Sequence, residues 1–259
     1  MRVFVDTFWI PKGGNQFNEW EDAFSPELTT DEQEREQFRL AISDGASFGM
    51  LSGEWARILT QTFCHASMPV ADMYAFLEKA STQWKVWVQE YLEARAEQNR
   101  PIKWYEEPGL KAGAFATFLG LELTSNLISG RWQAIAVGDS CLFQVRQDRL
   151  IVSFPIQHST EFNNTPALIC SLSPHNDRLD DKITGIGGSL QVDDELYLMT
   201  DALAQWFLSA YEMDQRPWQV LRDLNTADQL QTFEELAEHL RQAQVMRNDD
   251  VTLVRITVA

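Results

Sequence analysis

The chain of 259 residues predicts an α+β fold: antiparallel strands with paired helices in a single domain over residues 1–259. Three observations carry this. Residues 112–154 hold four β-rich runs, the last three separated by short polar turns, the spacing of antiparallel neighbours. Residues 52–98 and 202–246 hold segments with helical character, the apolar residues of the first recurring at helical spacing. Residues 251–258 (VTLVRITV) read as a clean final strand. Apolar residues make up 44% of the chain, enough for an ordinary core, and no internal repeat or linker divides it.

Taken in order, residues 2–10 are apolar and β-branched, a first strand, and Pro11-Lys12-Gly13-Gly14-Asn15 is a turn. Residues 19–24 predict a short second strand carrying Glu21 and Asp22, and residues 25–36 a polar loop with some helix. Residues 38–43 form a strand that runs into Asp44-Gly45. In residues 52–66, Trp55, Ile58, Leu59 and Phe63 share a helical face, with Ser52 as N-cap and Glu54 in the first turn. Residues 69–98 predict a long helix with an apolar stripe including Met73, Phe76, Trp84 and Trp87, read as packing against a sheet. Residues 106–109 read as a loop. The β-rich runs are 112–123, 131–137, 140–146 and 149–154, with turns at Gly138-Asp139 and Gln147-Asp148. Residues 155–191, rich in Pro, Asn, Asp and Gly, read as a loop-dominated flap that includes Thr184-Gly185-Ile186-Gly187-Gly188. A strand at 195–200 and helices at 202–211, 217–224 and 233–246 complete the order.

Lys and Arg number 21 against 38 Asp and Glu, a net charge of −17. That balance excludes non-specific binding to nucleic acid or anionic lipid, both polyanions, and leaves carboxylates for divalent cations. Cys64, Cys141 and Cys170 show no CxxC spacing, so the expectation is buried thiols in a reducing, cytoplasmic setting. The four histidines lack zinc-site spacing, and no apolar run is long enough to cross a membrane. The chain is expected to be monomeric.

Four acidic signatures recur along the chain: Asp44-Gly45, Asp201-Ala202 and Asp249-Asp250 at the ends of apolar runs, and Glu21-Asp22 on the short second strand. Carboxylates converging from strand ends repel unless a cation lies between them, and an oxygen-only set suits Mg²⁺ or Mn²⁺. Each signature has an ordinary reading as well. Asp44-Gly45 fits a turn, Asp201 a helix N-cap, Asp249-Asp250 a solvated turn, Gly138-Asp139 a hairpin, and Glu21-Asp22 an acidic edge strand. Their order and flanking residues are the specific signal. No nucleophile elbow and no phosphate loop ending in Gly-Lys-Ser/Thr is present.

The stretches NEWEDAF (18–24), LAISDG (40–45), GAFAT (113–117), AVGDSCLFQV (136–145), LYLMTDAL (196–203) and DDVTLVRI (249–256) occur in one order over almost the whole chain. In this the sequence resembles the metal-dependent PP2C (PPM) family of serine/threonine protein phosphatases, in its short bacterial form. The resemblance implies two antiparallel sheets in a central sandwich flanked by helical layers. It also implies a phosphorylated protein substrate and two, or with a weaker site three, Mg²⁺ or Mn²⁺ ions. Asp44 resembles the bridging ligand, Gly45 the residue ligating through its carbonyl, and Asp201 and Asp249 the remaining ligands of the first metal. Either Glu21 or Asp22 resembles the ligand of the second, and Asp139 that of the third. Hydrolysis would then use metal-activated water, with no covalent phospho-enzyme.

The chain also departs from the family pattern. Phe17 stands where the family has a phosphate-contacting Arg, and Lys12 is the nearest upstream cation. The run after Gly45 reads Ala46-Ser47-Phe48-Gly49, no His follows Asp44-Gly45, and Ala202 replaces a Gly. The leading expectation is an active phosphoserine/phosphothreonine phosphatase. The alternatives are a phosphoprotein-binding regulatory module with little turnover and a phosphatase of small esters.

Overall fold

The computed structural model describes residues 2–26, 31–33, 37–125, 130–224 and 229–259. The chain opens with strands β1 (Val3–Ile10), β2 (Ala23–Ser25), β3 (Asp31–Gln33) and β4 (Gln37–Ser43), followed by helices α1 (Ser52–Cys64), α2 (Met73–Glu97) and α3 (Glu107–Ala112). Strands β5 (Phe115–Ala116), β6 (Phe118–Ser125), β7 (Gly130–Val137), β8 (Cys141–Arg146), β9 (Arg149–Phe154), β10 (Ile169–Cys170), β11 (Thr184–Leu190) and β12 (Glu195–Met199) come next. Helices α4 (Asp201–Glu212), α5 (Pro217–Arg222) and α6 (Gln229–Gln242) precede the last strand, β13 (Val251–Val258).

Among the described residues, β3-β1-β13-β12-β8-β9 form one antiparallel sheet and β11-β7-β6-β4-β2 a second, with β10 and β5 as a small pair. Alternation along each central strand decides the layering. On β13, Val254, Ile256 and Val258 turn into the space between the sheets, while Val251 and Leu253 pack outward. On β12, Leu196 and Leu198 face inward and Tyr197 and Met199 outward. These strands are covered on both faces, which is why they read as unbroken apolar runs. Outside the first sheet, Phe207 of α4, Trp218 of α5 and Phe233 of α6 pack against Phe8, Phe143 and Leu253. Outside the second, Trp55, Leu59 and Phe63 of α1 and Phe76 and Trp84 of α2 cover Phe118, Ile135 and Val137. The result is the expected two-sheet sandwich between helical layers. Arg255 of β13 donates to Asp6 of β1 at 2.8 Å and to the carbonyls of Leu221, Arg222 and Leu224, tying the sheet to the end of α5.

Several local expectations are corrected. Gly138-Asp139 is not a hairpin turn: β7 lies in the five-stranded sheet and β8 in the six-stranded one, so the turn carries the chain from one sheet to the other. Residues 184–190, expected within a flap, form edge strand β11 paired with β7. Residues 107–112 are helical rather than loop, with Pro108 in the first turn where its missing N–H costs nothing. The predicted strand 112–123 is broken at Thr117, between β5 and β6. Leu51, at φ 64°, precedes α1 as its cap, and Ser52 lies in the first turn with its buried hydroxyl unpartnered. Glu21 and Asp22 precede β2 instead of lying on a strand. In the predicted loop 25–36, residues 31–33 form β3, while 27–30 and 34–36 lie outside the described residues. No described helix is long and apolar enough to cross a membrane.

Gly138 adopts φ +102°, and a Cβ there would lie 2.7 Å from Thr117 Cγ2 and 2.9 Å from the Ala167 carbonyl. We expect Gly138→Ala to destabilise the protein by roughly 2–4 kcal/mol, from backbone strain plus overpacking. Urea unfolding measures it; a change below about 0.5 kcal/mol, the range of ordinary surface substitutions, would show that the crossing tolerates a side chain.

Candidate metal centre

The acidic signatures meet at one end of the sandwich because the backbone there is laced together. Asp44 leaves the end of β4, and its peptide is fixed on both sides by Thr117: the Thr117 amide donates to the Asp44 carbonyl (2.9 Å), and the Asp44 amide donates to Thr117 Oγ1 (3.0 Å). The same Thr117 hydroxyl lies 2.9 Å from Ser140 Oγ, next to Asp139. The break between β5 and β6 therefore ties the Asp44 corner to the sheet-to-sheet crossing. Gly45 donates its amide to the Glu21 carbonyl at 3.2 Å. A Cβ on Gly45 would stand 2.6 Å from that carbonyl and 2.8 Å from the Gly53 nitrogen, so only glycine lets these backbones meet.

The first sheet supplies the other half. Asp22 is 3% exposed, and its Oδ2 accepts from the hydroxyls of Thr200 (3.0 Å) and Thr252 (2.7 Å). These threonines sit at the end of β12 and on β13, and the Thr252 amide donates to Thr200 Oγ1 at 2.9 Å. Asp250 accepts from the amides of Glu21 (2.7 Å) and Lys12 (2.8 Å), so its carboxylate is engaged in holding backbone. Asp249, the other member of the acidic pair, is left as the available carboxylate, and its own Oδ1 accepts the Asp250 amide. Asp201 opens α4 at its first turn, not as the N-cap, a position held by Thr200. Of the acidic pair at 21–22, Asp22 is buried and Glu21 half-buried beside an open cleft of about 730 Å³ whose walls include Trp9, Trp20 and Trp87.

Electrostatics confirms the crowding. Burial pushes the Asp44 carboxyl well above its usual range, and the charges of Asp22, Asp201, Asp249 and Asp139 push it the same way. Burial and Asp250 likewise raise Asp22, against the two threonine hydroxyls. Asp139 is pushed up to about 7 by burial and by Asp201. Glu21 is raised by burial, with Asp250 and Asp249 adding to it while Ser47 and Lys12 oppose. Asp201 is raised by burial but held down by Arg247, whose Nη2 donates to Asp201 Oδ2 at 2.5 Å.

Arg247, Thr117, Thr200 and Thr252 went unremarked as site residues in the sequence. Thr117, Thr200 and Thr252 sit inside the GAFAT, TDAL and DDVT stretches, so adjacency to the acidic signatures was the available signal; Arg247, two residues before Asp249, carried none. Phe17 is 54% exposed and stands edge-on to Trp9, with nothing to offer an anion.

The donor set fits a hard divalent cation. Asp22 Oδ1 and both carboxylate oxygens of Asp139 are buried and find no hydrogen-bond donor in another residue. Every candidate ligand presents oxygen. Among the described residues, no three His, Cys, Asp or Glu side chains are arranged to clasp a metal unaided. That is compatible with Mg²⁺, which keeps several waters and takes only one or two carboxylates directly.

A family model described as protein phosphatase 2C matches residues 18–250. The chain belongs to the protein phosphatase 2C family. The fold is similar to that of the Mycobacterium tuberculosis serine/threonine phosphatase PstP/Ppp, with a TM-score of 0.60 and 14% identity over 100% of this chain and 99% of that one. The catalytic domain of PstP in complex with two manganese ions matches at a TM-score of 0.57 and 16% identity, over 99% of this chain and 100% of that one. RsbX in complex with magnesium matches at 0.53 and 14%, over 100% and 96%. At these identities the likeness is one of fold. No curated protein sequence matches the chain.

For this protein phosphatase 2C chain the raised carboxyls fix how metal-free stability depends on pH. Asp139 has its folded pKa near 7, above the unfolded value of 3.8, so the folded state binds more protons between those limits. Its contribution is fully present below about pH 4 and is lost as pH rises through 7. We expect the melting temperature of the metal-free protein to fall over that window, and Asp139→Asn to flatten the fall. Equal slopes for the two proteins in a thermal-melt series with EDTA would contradict this.

Proposed function

We propose that the chain is a metal-dependent phosphatase of phosphoserine and phosphothreonine in proteins. The observation that carries this reading is the set of buried, donorless carboxylate oxygens on Asp22 and Asp139, beside Asp44 at the meeting point of two sheets. Family membership and the metal-bound PstP and RsbX structures support it.

In this reading Asp44, Asp201 and Asp249, with the Gly45 carbonyl and Glu21 or Asp22, hold two Mg²⁺ or Mn²⁺ ions, and Asp139 helps hold a weaker third. Such ions supply a water of lowered pKa as nucleophile and offset the charge of the phosphoryl oxygens. The chain's own residues do the positioning. Thr200 and Thr252 lock one oxygen of Asp22 and leave the other for the centre. Thr117 holds the Asp44 backbone against the crossing that carries Asp139. No thiol competes as a nucleophile: burial pushes Cys64 up to about 12, Cys141 well above its usual value, and Cys170 upward as well. The cleft beside Glu21 gives a protein side chain room to approach.

The second reading, a phosphoprotein-binding module with little turnover, would require that metal be kept from part of the centre, and one contact opposes metal binding there. The guanidinium of Arg247 already pairs with Asp201 and so competes with a metal for it.

Initial rates on p-nitrophenyl phosphate and on a phosphothreonine peptide decide between them, measured with Mn²⁺, with EDTA, and for Asp44→Asn and Asp249→Ala. We expect activity that requires metal and falls on the order of 100-fold or more in each variant, as when a major transition-state charge contact is lost. Preference for the peptide supports a protein substrate, and preference for the ester a small one. A wild-type protein that binds Mn²⁺ yet turns over neither compound would leave the binding module.

A further inference from the structure

A side-chain cation beside a metal centre can add to the recognition of a substrate's phosphoryl oxygens. A guanidinium is the best fit, because its planar fork matches two oxygens at once. Position 17 offers no such group. Lys12 stands on the Glu21 side: its amide is bound to Asp250 and its charge acts on Glu21. As a single ammonium it is a point charge, not a fork.

Arg247 is placed differently. Its guanidinium lies against Asp201, and its charge reaches Asp139, so it sits within the acidic centre. The side chain is about one-third exposed (34%), which leaves it open to a ligand. Its Nε–H is buried without an acceptor, an unmet donor in a site otherwise crowded with acceptors. Its carbonyl accepts the Asp249 amide at 3.2 Å, so the fork and the Asp249 carboxylate are carried by one short turn. That turn is braced from below by Arg241 of α6, whose Nη2 donates to the carbonyls of Asp249 and Pro11. The two arginines thus differ in kind. Arg241 is bonded to backbone, while Arg247 is bonded to a carboxylate that a cation would otherwise take.

We infer that Arg247 forms the phosphate-binding subsite of this centre, replacing an arginine at position 17. In the metal-free protein the fork serves as the counter-ion of Asp201; with Asp201 engaged by a cation, its donors turn to the phosphoryl oxygens. The inference rests on the phosphatase reading for its substrate, but not on turnover for its test.

The test is calorimetric titration of inorganic phosphate into Mn²⁺-loaded protein, alongside KM for p-nitrophenyl phosphate and the Mn²⁺ affinity itself. Arg247→Gln is expected to weaken phosphate binding roughly 10- to 100-fold, the worth of one or two charge-assisted hydrogen bonds. KM should rise with it, while Mn²⁺ binds as tightly or more tightly because its competitor at Asp201 is gone. Arg247→Lys keeps the charge but not the fork and should fall several-fold short of wild type; it also carries the test if the Gln variant does not fold. Lys12→Gln should change phosphate affinity only a few-fold. Wild-type phosphate affinity in either Arg247 variant, or no phosphate binding by wild type, overturns the inference and leaves Arg247 as a counter-ion only. Hydrolysis with Arg247-independent phosphate binding would preserve the phosphatase and remove the subsite. Arg247-dependent binding without hydrolysis would do the reverse.

Discussion

Carboxylates that share one end of a β-sandwich repel one another, and most of the polar groups around this site answer that repulsion. The response takes three chemical forms. Two threonine hydroxyls hold Asp22, two backbone amides hold Asp250, and one guanidinium holds Asp201. What these leave over is the charge of Asp44, Asp139 and Asp249, for which the described residues provide no further cation in hydrogen-bond contact. For Asp44 and Asp139 the raised carboxyl pKa values are the signature of that crowding. A protein built only for stability would replace such a group with apolar side chains, since buried charges without partners are costly. Its presence at the end of a well-packed sandwich argues that the cluster exists for something that binds there.

The site straddles the two sheets. Asp44 and Gly45 leave the five-stranded sheet, Asp201 and Asp249 adjoin the six-stranded one, and Asp139 lies on the link between them. Separation between the carboxylates is therefore set by how the sheets pack, through Leu40, Ile42 and Leu121 against Leu142, Leu198 and Val254. Arg247 belongs to the same logic, because its turn leads directly into β13.

Much of this was legible in the sequence, for physical reasons that can be named. Asp44 and Asp201 follow apolar runs that could only be buried strands, so their position at strand ends was readable. The long helix over residues 73–97 announced itself through Met73, Phe76 and Trp84 on one stripe. Other features depended on distant partners. A turn such as Gly138-Asp139 has the same local chemistry whether it closes a hairpin or passes between sheets, and only the pairing of β7 with β6 and of β8 with β12 decides. Strand β11 (TGIGGSL) is largely exposed and glycine-rich, so it lacked the alternation that marks a strand. Arg247 carried no local signal in the sequence, because its partner lies 46 residues away.

Strand order has a consequence for how the chain reaches this state. β13 lies between β1 and β12, with Val3 opposite Val258 in register. The six-stranded sheet therefore stays in two pieces until residues 251–258 arrive, and β1 waits through nearly the whole chain for its central neighbour. Closing so long a loop is entropically demanding, and folds dominated by distant pairings form slowly. During synthesis the facing edges of β1 and β12 would be exposed, and Asp6 would lack Arg255. Because Asp249 and Thr252 arrive with the same strand, completing the sheet and assembling the acidic centre are a single late event.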